Sequence, residues 1–102
     1  MRNRIDFDNY LRTITSNVYF QPPASLTMKY PAIVYSTYAA DSVNASNDIY
    51  LLALSYRCIV IDKSPDSKIA NALMRSKNFR FERYYVSDNL NHFSFVATLD
   101  YT

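Results

Sequence analysis

The stretch IDKSPDSKIANAL, residues 61–73, changes from the pattern of a strand to the pattern of a helix within a few positions. A run of three β-branched residues ends at Ile61, as is typical of a strand. Ser64 then suits a helix N-cap, and Pro65 suits the first helical position. The apolar face of this helix is Ile69, Ala72 and Leu73. The stretch therefore predicts a strand that turns a corner into an amphipathic helix.

The strand before the corner, residues 49–62, is apolar on both faces. Its even positions are all apolar or aromatic: Tyr50, Leu52, Leu54, Tyr56, Cys58 and Val60. Its odd positions are apolar only towards the two ends. A strand of this kind has to be covered on both sides. We therefore expect Ile49, Leu51 and Ile59 to contact a helix or another subunit.

The remaining helix and strands are also predicted from the spacing of apolar residues. A helical spacing joins Phe7, Tyr10, Leu11 and Ile14, with Asp6 as a plausible cap. Strands are predicted for NVYFQPP, KYPAIVYSTY, FRFERYYV and HFSFVATLDY, the last two joined through SDNLN. The predicted fold is a single α+β domain, residues 1–102. It has a mostly antiparallel sheet with two helices packed on it, in the order α-β-β-β-α-β-β.

A small, polar segment, residues 39–48, separates two of these strands. Its composition predicts an exposed loop or hairpin tip that stays mobile until a partner binds it. The residues expected to contact that partner are Ser42, Val43, Asn44, Ala45 and Ser46.

Composition excludes several classes of function. The 102 residues include no Gly, although average usage predicts about seven, so phosphate-cradling Gly-rich loops are absent. The net charge of +2 is too small to indicate a nucleic-acid or membrane-surface protein by itself. With one Cys, no apolar run of membrane-spanning length and no signal-peptide core at the N-terminus, we expect a protein kept in a cytoplasm.

Few residues suit catalysis or metal binding. Cys58 lies on the apolar face of its strand and is expected to be a small buried hydrophobe. His92 is the only His, and it is expected to bond the backbone at a strand start. Asp62 and Asp66 flank the corner, but they lack the run of oxygen ligands found in calcium loops. We predict no catalytic residue, cofactor or metal, and hence no enzyme.

The segment RSKNFRFERYY, residues 75–85, interleaves basic and aromatic residues. Its cations, either DNA-facing or solvated, are Arg75, Lys77, Arg80 and Arg83. They could hold phosphates while Phe79, Phe81 and Tyr85 stack on bases. On a regular strand, however, Phe79, Phe81, Arg83 and Tyr85 would share one face, which favours a core role for the Phe residues. A small nucleic-acid-binding module remains the alternative.

Three segments, NVYFQPPASLTMKYPAIVYS, VIDKSPDSKIANAL and RFERYYVSDNLNHFSFVATLDY, resemble small tail terminator or tail-completion proteins of long-tailed bacteriophages. Together they cover more than half of the chain. The resemblance implies a β-sheet with packed helices, and assembly into a hexameric ring that caps the tail tube and joins the tail to the head.

The implied partners are further copies of the chain, the major tail tube protein and the head-tail connector or head-completion protein. Genomic DNA would pass through the ring without sequence recognition, and no membrane is involved. The protein would be assembled in the host cytoplasm and reside in the neck of the virion. A head-completion or connector protein is a second alternative within the same structural class.

Overall fold

The computed structural model of the chain describes residues 3–45 and 48–99, and for residues 39–45 and 48–54 it describes the backbone alone. The described residues form two helices and five strands. In chain order these are α1 Arg4–Ile14, β1 Val18–Phe20, β2 Ala32–Ala45, β3 Asp48–Asp62, α2 Lys68–Met74, β4 Phe79–Ser87 and β5 Leu90–Leu99. The predicted α+β class and the predicted element order are confirmed.

The five strands form one sheet in the order β1-β2-β3-β5-β4. The short β1 runs parallel to β2, and the other neighbouring strands are antiparallel. Both helices pack on the same face of this sheet, where one apolar cluster joins Phe7 and Leu11 of α1 to Ala70 and Leu73 of α2. The sheet therefore has a helix-covered face and, among the described residues, a helix-free face.

Helix α1 is fixed by its apolar stripe. Phe7 and Leu11 are fully buried, and the Phe7 ring lies 5.3 Å from Tyr35, 5.2 Å from Tyr56 and 5.8 Å from Phe79, centroid to centroid. Burial of each such side chain contributes about 1.5–3 kcal/mol. The cap is Asn3 and not Asp6, since the Asn3 side chain accepts the Asp6 backbone N–H at 2.8 Å.

A polar cluster fastens α1 to the first strands of the sheet. The Tyr35 hydroxyl donates to Asp8 Oδ2 at 2.5 Å and accepts from Arg4 at 3.2 Å. Arg12 donates to Asp8 Oδ1 at 2.6 Å and to the Val18 carbonyl at 3.2 Å. Partial burial works to raise the pKa of Asp8, but the bonds from Tyr35 and Arg12 outweigh it and lower that pKa. Burial and the bond to Asp8 raise the pKa of Tyr35 to about 12.

The corner after β3 is built differently from its prediction. The N-cap of α2 is Ser67, whose hydroxyl accepts the Ala70 N–H at 3.2 Å, so the assignments of Ser64 to the cap and of Pro65 to the helix start are wrong. Ser64 instead takes part in two turns: its N–H donates to Asp62 Oδ1 at 3.0 Å, and its hydroxyl accepts the Asp66 N–H at 3.1 Å. Short side-chain-to-backbone hydrogen bonds of this kind compete with helix formation. The helix therefore begins three residues later than predicted, at Lys68.

The buried side chain of Asn91 holds the corner against the β4–β5 hairpin. Its amide nitrogen donates to the carbonyls of Asp62 and Lys63, both at 3.2 Å. Its carbonyl oxygen accepts the Tyr84 hydroxyl at 2.5 Å. Because Asn91 is only 9% exposed, these bonds replace the hydrogen bonds to water that its side chain would make in the unfolded chain.

The segment predicted as an exposed loop or hairpin tip, residues 39–48, is mostly strand and belongs to the β2–β3 hairpin. Ser42, Val43, Asn44 and Ala45 belong to β2 and pair with β3, the last pair being Ala45 with Asp48. The loop interpretation is therefore wrong for these four residues, and Ser46 lies outside the described residues. Their backbone groups bond to a long partner strand, a constraint that composition does not reveal.

In the part of the chain that the structure describes, β2 and β3 continue beyond the body of the sheet as a two-stranded ribbon, residues 39–45 and 48–53. The pairing of β1 with β2 ends at Tyr35, and in the described chain the pairing of β5 with β3 ends at Leu54. The molecule is accordingly elongated, with extents of 52 × 30 × 23 Å. Its radius of gyration is 14.8 Å, against about 13 Å for a compact domain of about 100 residues.

Without Gly, the tight turns use Asn, Asp and Gln. Asp88 and Asn89 have φ of 53° and 62°, and they form the two-residue turn between β4 and β5. Positive φ at both central positions is the type I′ geometry that suits a twisted hairpin. Gln21, with φ of 44°, ends β1. Within the described residues, no helix is long and apolar enough to span a membrane.

Candidate interface

The helix-free face is the candidate functional surface. By strand register its side chains include Val34, Ser36, Arg57, Ile59, Ile61, Arg80, Arg83, Tyr85, His92, Ser94 and Val96, and Glu82 joins them through its bonds to Arg57 and Ser94. Several of its central residues are already buried by their neighbours, including Ser94 at 2% exposed and Val96 at 5%. Ile59 is only half-buried, as expected for an apolar residue that no helix covers.

A shallow depression of about 410 Å³ lies on this face. Its lining residues are Arg57, Ile59, Glu82, Arg83, Tyr85 and Ser94. Arg57 directs two parallel N–H bonds, each of 3.2 Å, to the two carboxylate oxygens of Glu82. The Ser94 hydroxyl adds a third bond to Glu82 at 2.9 Å. These bonds from Arg57 and Ser94 lower the pKa of Glu82, so this carboxylate is ionised and its charge is matched by Arg57.

A β-bulge in β4 assembles the depression. The register with β5 shifts between Phe81, which lies opposite Phe95, and Arg83, which lies opposite Ser94. The extra residue, Glu82, moves every later side chain of the strand to the other face. The prediction that Arg83 and Tyr85 share a face with Phe79 and Phe81 is therefore wrong.

Tyr85 on the helix-free face is already in contact with two groups. Its ring stacks on His92 at 4.7 Å with an interplanar angle of 17°. The guanidinium of Arg83 lies 4.6 Å from the centroid of the same ring. Tyr38 is similarly covered by Arg57, at 4.7 Å. Cation–π contacts of this kind position the Arg side chains without using their N–H groups.

The proposed basic cluster is divided between two parts of the molecule. Arg80 and Arg83 are exposed on the helix-free face. Arg75 is the C-cap of α2, and Lys77 lies in the turn between α2 and β4. Phe79 is buried in the core, at 7% exposed. The structure therefore does not bring four cations and their aromatic neighbours into one surface.

The candidate reactive residues also lie apart. Cys58 is fully buried on the helix-covered face, where burial raises the pKa of its thiol. His92 belongs to the opposite face, and its Nδ1 lies 3.0 Å from the Leu90 carbonyl oxygen. Asp62 is used in the turn at the corner. No cluster of three or more His, Cys, Asp or Glu side chains suited to a metal ion occurs in the described part of the chain.

Two residues expected at an interface, Ile49 and Leu51, lie in β3 with their side chains outside the described part of the structure. Ile59 is half-buried on the helix-free face, so no described helix covers it, and its contact with another subunit stays a prediction. Sequence reasoning missed Arg57, Glu82 and Ser94. The sequence feature that could have indicated this ion pair is the single Arg of the largely apolar strand β3, together with the single Glu of the basic strand β4.

No protein-family model, no curated protein and no solved structure matches the chain.

Proposed function

We propose that this protein is a structural component of the neck of a long-tailed bacteriophage, acting as a tail terminator. Its subunits form a ring, taken as hexameric, that caps the tail tube and joins the tail to the head connector. The proposal draws on the resemblance of three segments of the sequence. These segments form β1 with the start of β2, the corner with α2, and the β4–β5 hairpin.

The observation that carries the proposal is the β2–β3 ribbon, residues 39–45 and 48–53. A two-stranded hairpin is marginally stable by itself in water, and its outer edges present unpaired N–H and C=O groups. A ribbon of this length becomes stable when a neighbouring subunit covers it. An arm that binds a different surface on the next subunit makes a heterologous contact. Repeated contacts of this kind form a ring when the rotation between neighbouring subunits closes after a whole number of subunits.

The test is assembly of the pure protein. We expect sedimentation velocity to give a concentration-dependent oligomer, and electron microscopy to give rings. Added to polymerising tail tube protein from the same genome, the rings should shorten the tubes and bind at their ends. A protein that stays monomeric at every concentration and leaves tube length unchanged would refute the proposal. Binding to filled heads, with none to tube ends, would favour the head-completion alternative.

The nucleic-acid alternative has weaker support. Phe79 is buried, and the ring of Tyr85 is already stacked with His92 and Arg83, so Phe81, at 42% exposed and not in the core as predicted, is the one of the three predicted stacking residues with an open ring. Base stacking needs exposed aromatic faces. A steep salt dependence of binding to single-stranded DNA by a monomer would nevertheless favour that alternative.

A further inference from the structure

The depression on the helix-free face has an excess of positive charge. Arg57, Arg80 and Arg83 lie on this face, against one carboxylate, Glu82. Glu82 is neutralised by its two bonds from Arg57. Neither Arg80 nor Arg83 forms an ion pair with any residue that the structure describes. Arg83 in the lining of the depression, and Arg80 on the same face outside that lining, are therefore available to a ligand.

The Arg N–H groups of the depression that do not bond to Glu82 are suited to bind a carboxylate. A guanidinium has five N–H groups in a planar fork, and Arg57 uses its Nε and one terminal nitrogen on Glu82. Its other terminal nitrogen is not used on Glu82, and Arg83, which the contact with Tyr85 holds in place, lines the same depression. An incoming carboxylate can accept bonds from both guanidinium groups, and Arg is well matched to such planar, bidentate recognition.

The apolar part of the depression points to a peptide. Ile59 is a half-buried apolar residue among polar neighbours, so it can pack against an apolar side chain next to the bound carboxylate. The two Arg residues that line the depression each lie over a Tyr ring, Arg57 over Tyr38 and Arg83 over Tyr85. The ring of Tyr85, which also stacks on His92, therefore offers little free surface to a base, whereas Tyr38 stays 49% exposed.

We infer that the helix-free face of the sheet, centred on Arg57, Arg83 and Ile59, is a docking site for an acidic segment of a partner protein. The segment carries Glu or Asp beside an apolar residue. This site rests on the geometry of the depression and not on the ring or on a role in the neck. Ring formation and peptide binding are measured separately, so either can fail alone.

The test is a binding titration with a defined probe. A fluorescein-labelled peptide, acetyl-Glu-Val-Glu-Val-Glu-amide, is titrated with the full-length protein at low salt and followed by fluorescence anisotropy. The matched Gln-Val-Gln-Val-Gln peptide and a ten-residue oligothymidylate serve as competing probes. We expect saturable binding of the Glu peptide, at least tenfold tighter than that of the Gln peptide and of the oligothymidylate.

Paired variants assign the site. Arg83→Gln should weaken binding of the Glu peptide by about five- to tenfold, through loss of one charge-assisted hydrogen bond. Arg75→Gln makes the same charge change on α2, away from the depression, and should leave binding within twofold. Ile59→Ser should weaken binding with no change in net charge. Both Arg residues are exposed, so neither change is expected to unfold the protein.

Three results would overturn the inference. The first is no binding of the Glu peptide. The second is equal losses for Arg83→Gln and Arg75→Gln, which would mean attraction by net charge alone. The third is tighter binding of the oligothymidylate than of the peptide, which would assign the surface to nucleic acid.

Discussion

Asn91 is the side chain on which the strand-to-helix corner most depends. Replacing it with Ala removes three hydrogen bonds, one from Tyr84 and two to the carbonyls of Asp62 and Lys63. A typical intramolecular hydrogen bond contributes about 0.5–1.5 kcal/mol net, and the partners here are partly open to water. We therefore expect Asn91→Ala to lower the free energy of unfolding by about 2–4 kcal/mol.

The assay is urea denaturation followed by circular dichroism, with two comparison variants. Tyr84→Phe removes one of the three bonds and should cost about 1 kcal/mol. Asn71→Ala changes an exposed Asn on α2 and should stay within about 0.5 kcal/mol of the wild type. Hydrogen exchange should also become faster in α2 when Asn91 is replaced, because the corner that positions the helix has loosened.

One result would refute this reasoning. If Asn91→Ala and Asn71→Ala destabilised the protein equally, the bonds of Asn91 would contribute nothing net. The corner would then be held by the apolar contacts of Ala70 and Leu73 alone.

Three further predictions follow from the fold. Ser67→Ala should lower the free energy of unfolding by about 0.5–2 kcal/mol through loss of the helix cap, and Ser64→Ala by clearly less, as measured by urea denaturation. Because the pKa of Asp8 is lowered in the folded state, its stabilising effect is present above the unfolded value of about 3.9 and is lost as the pH falls through the folded value. The urea midpoint should therefore fall less steeply below about pH 4 in Asp8→Asn than in the wild type. Replacing residues 42–52 with an Asn-Gly turn should preserve the circular dichroism spectrum but abolish self-association in sedimentation; an unchanged oligomer would mean that the ribbon is not an assembly contact.

Periodicity was sufficient for most of the fold. The helical spacing from Phe7 to Ile14 and the alternation along β5 both indicate which face is buried. They succeed because burial of apolar side chains is the dominant source of stability at those positions. Phe93, Phe95, Ala97 and Leu99 are buried as that alternation predicts. The apolar even positions of β3 that have described side chains, Tyr56, Cys58 and Val60, are buried as well.

The errors arose where local hydrogen bonding competes with such patterns. Ser64 and Ser67 are both good caps by residue type, and the choice between them depends on turns that Asp62 and Asp66 make nearby. The bulge at Glu82 is set by its bonds to Arg57 and Ser94, residues 25 and 12 positions away in the chain. No local pattern encodes such distant partners, so the composition of the helix-free face could not be predicted.

The length of the β2–β3 ribbon sets how far one subunit can reach. Residues 48–53 of β3 lie beyond the last pair with β5 that the structure describes, and at about 3.4 Å per residue they extend roughly 20 Å. This reach is close to the smallest extent of the molecule, 23 Å. In a closed ring such an arm would cross nearly the whole thickness of the adjacent subunit. Each subunit would then bind the arm of one neighbour and extend its own arm over the other neighbour. A partial ring would have a free arm at its end, so it would be less stable per subunit than the completed ring.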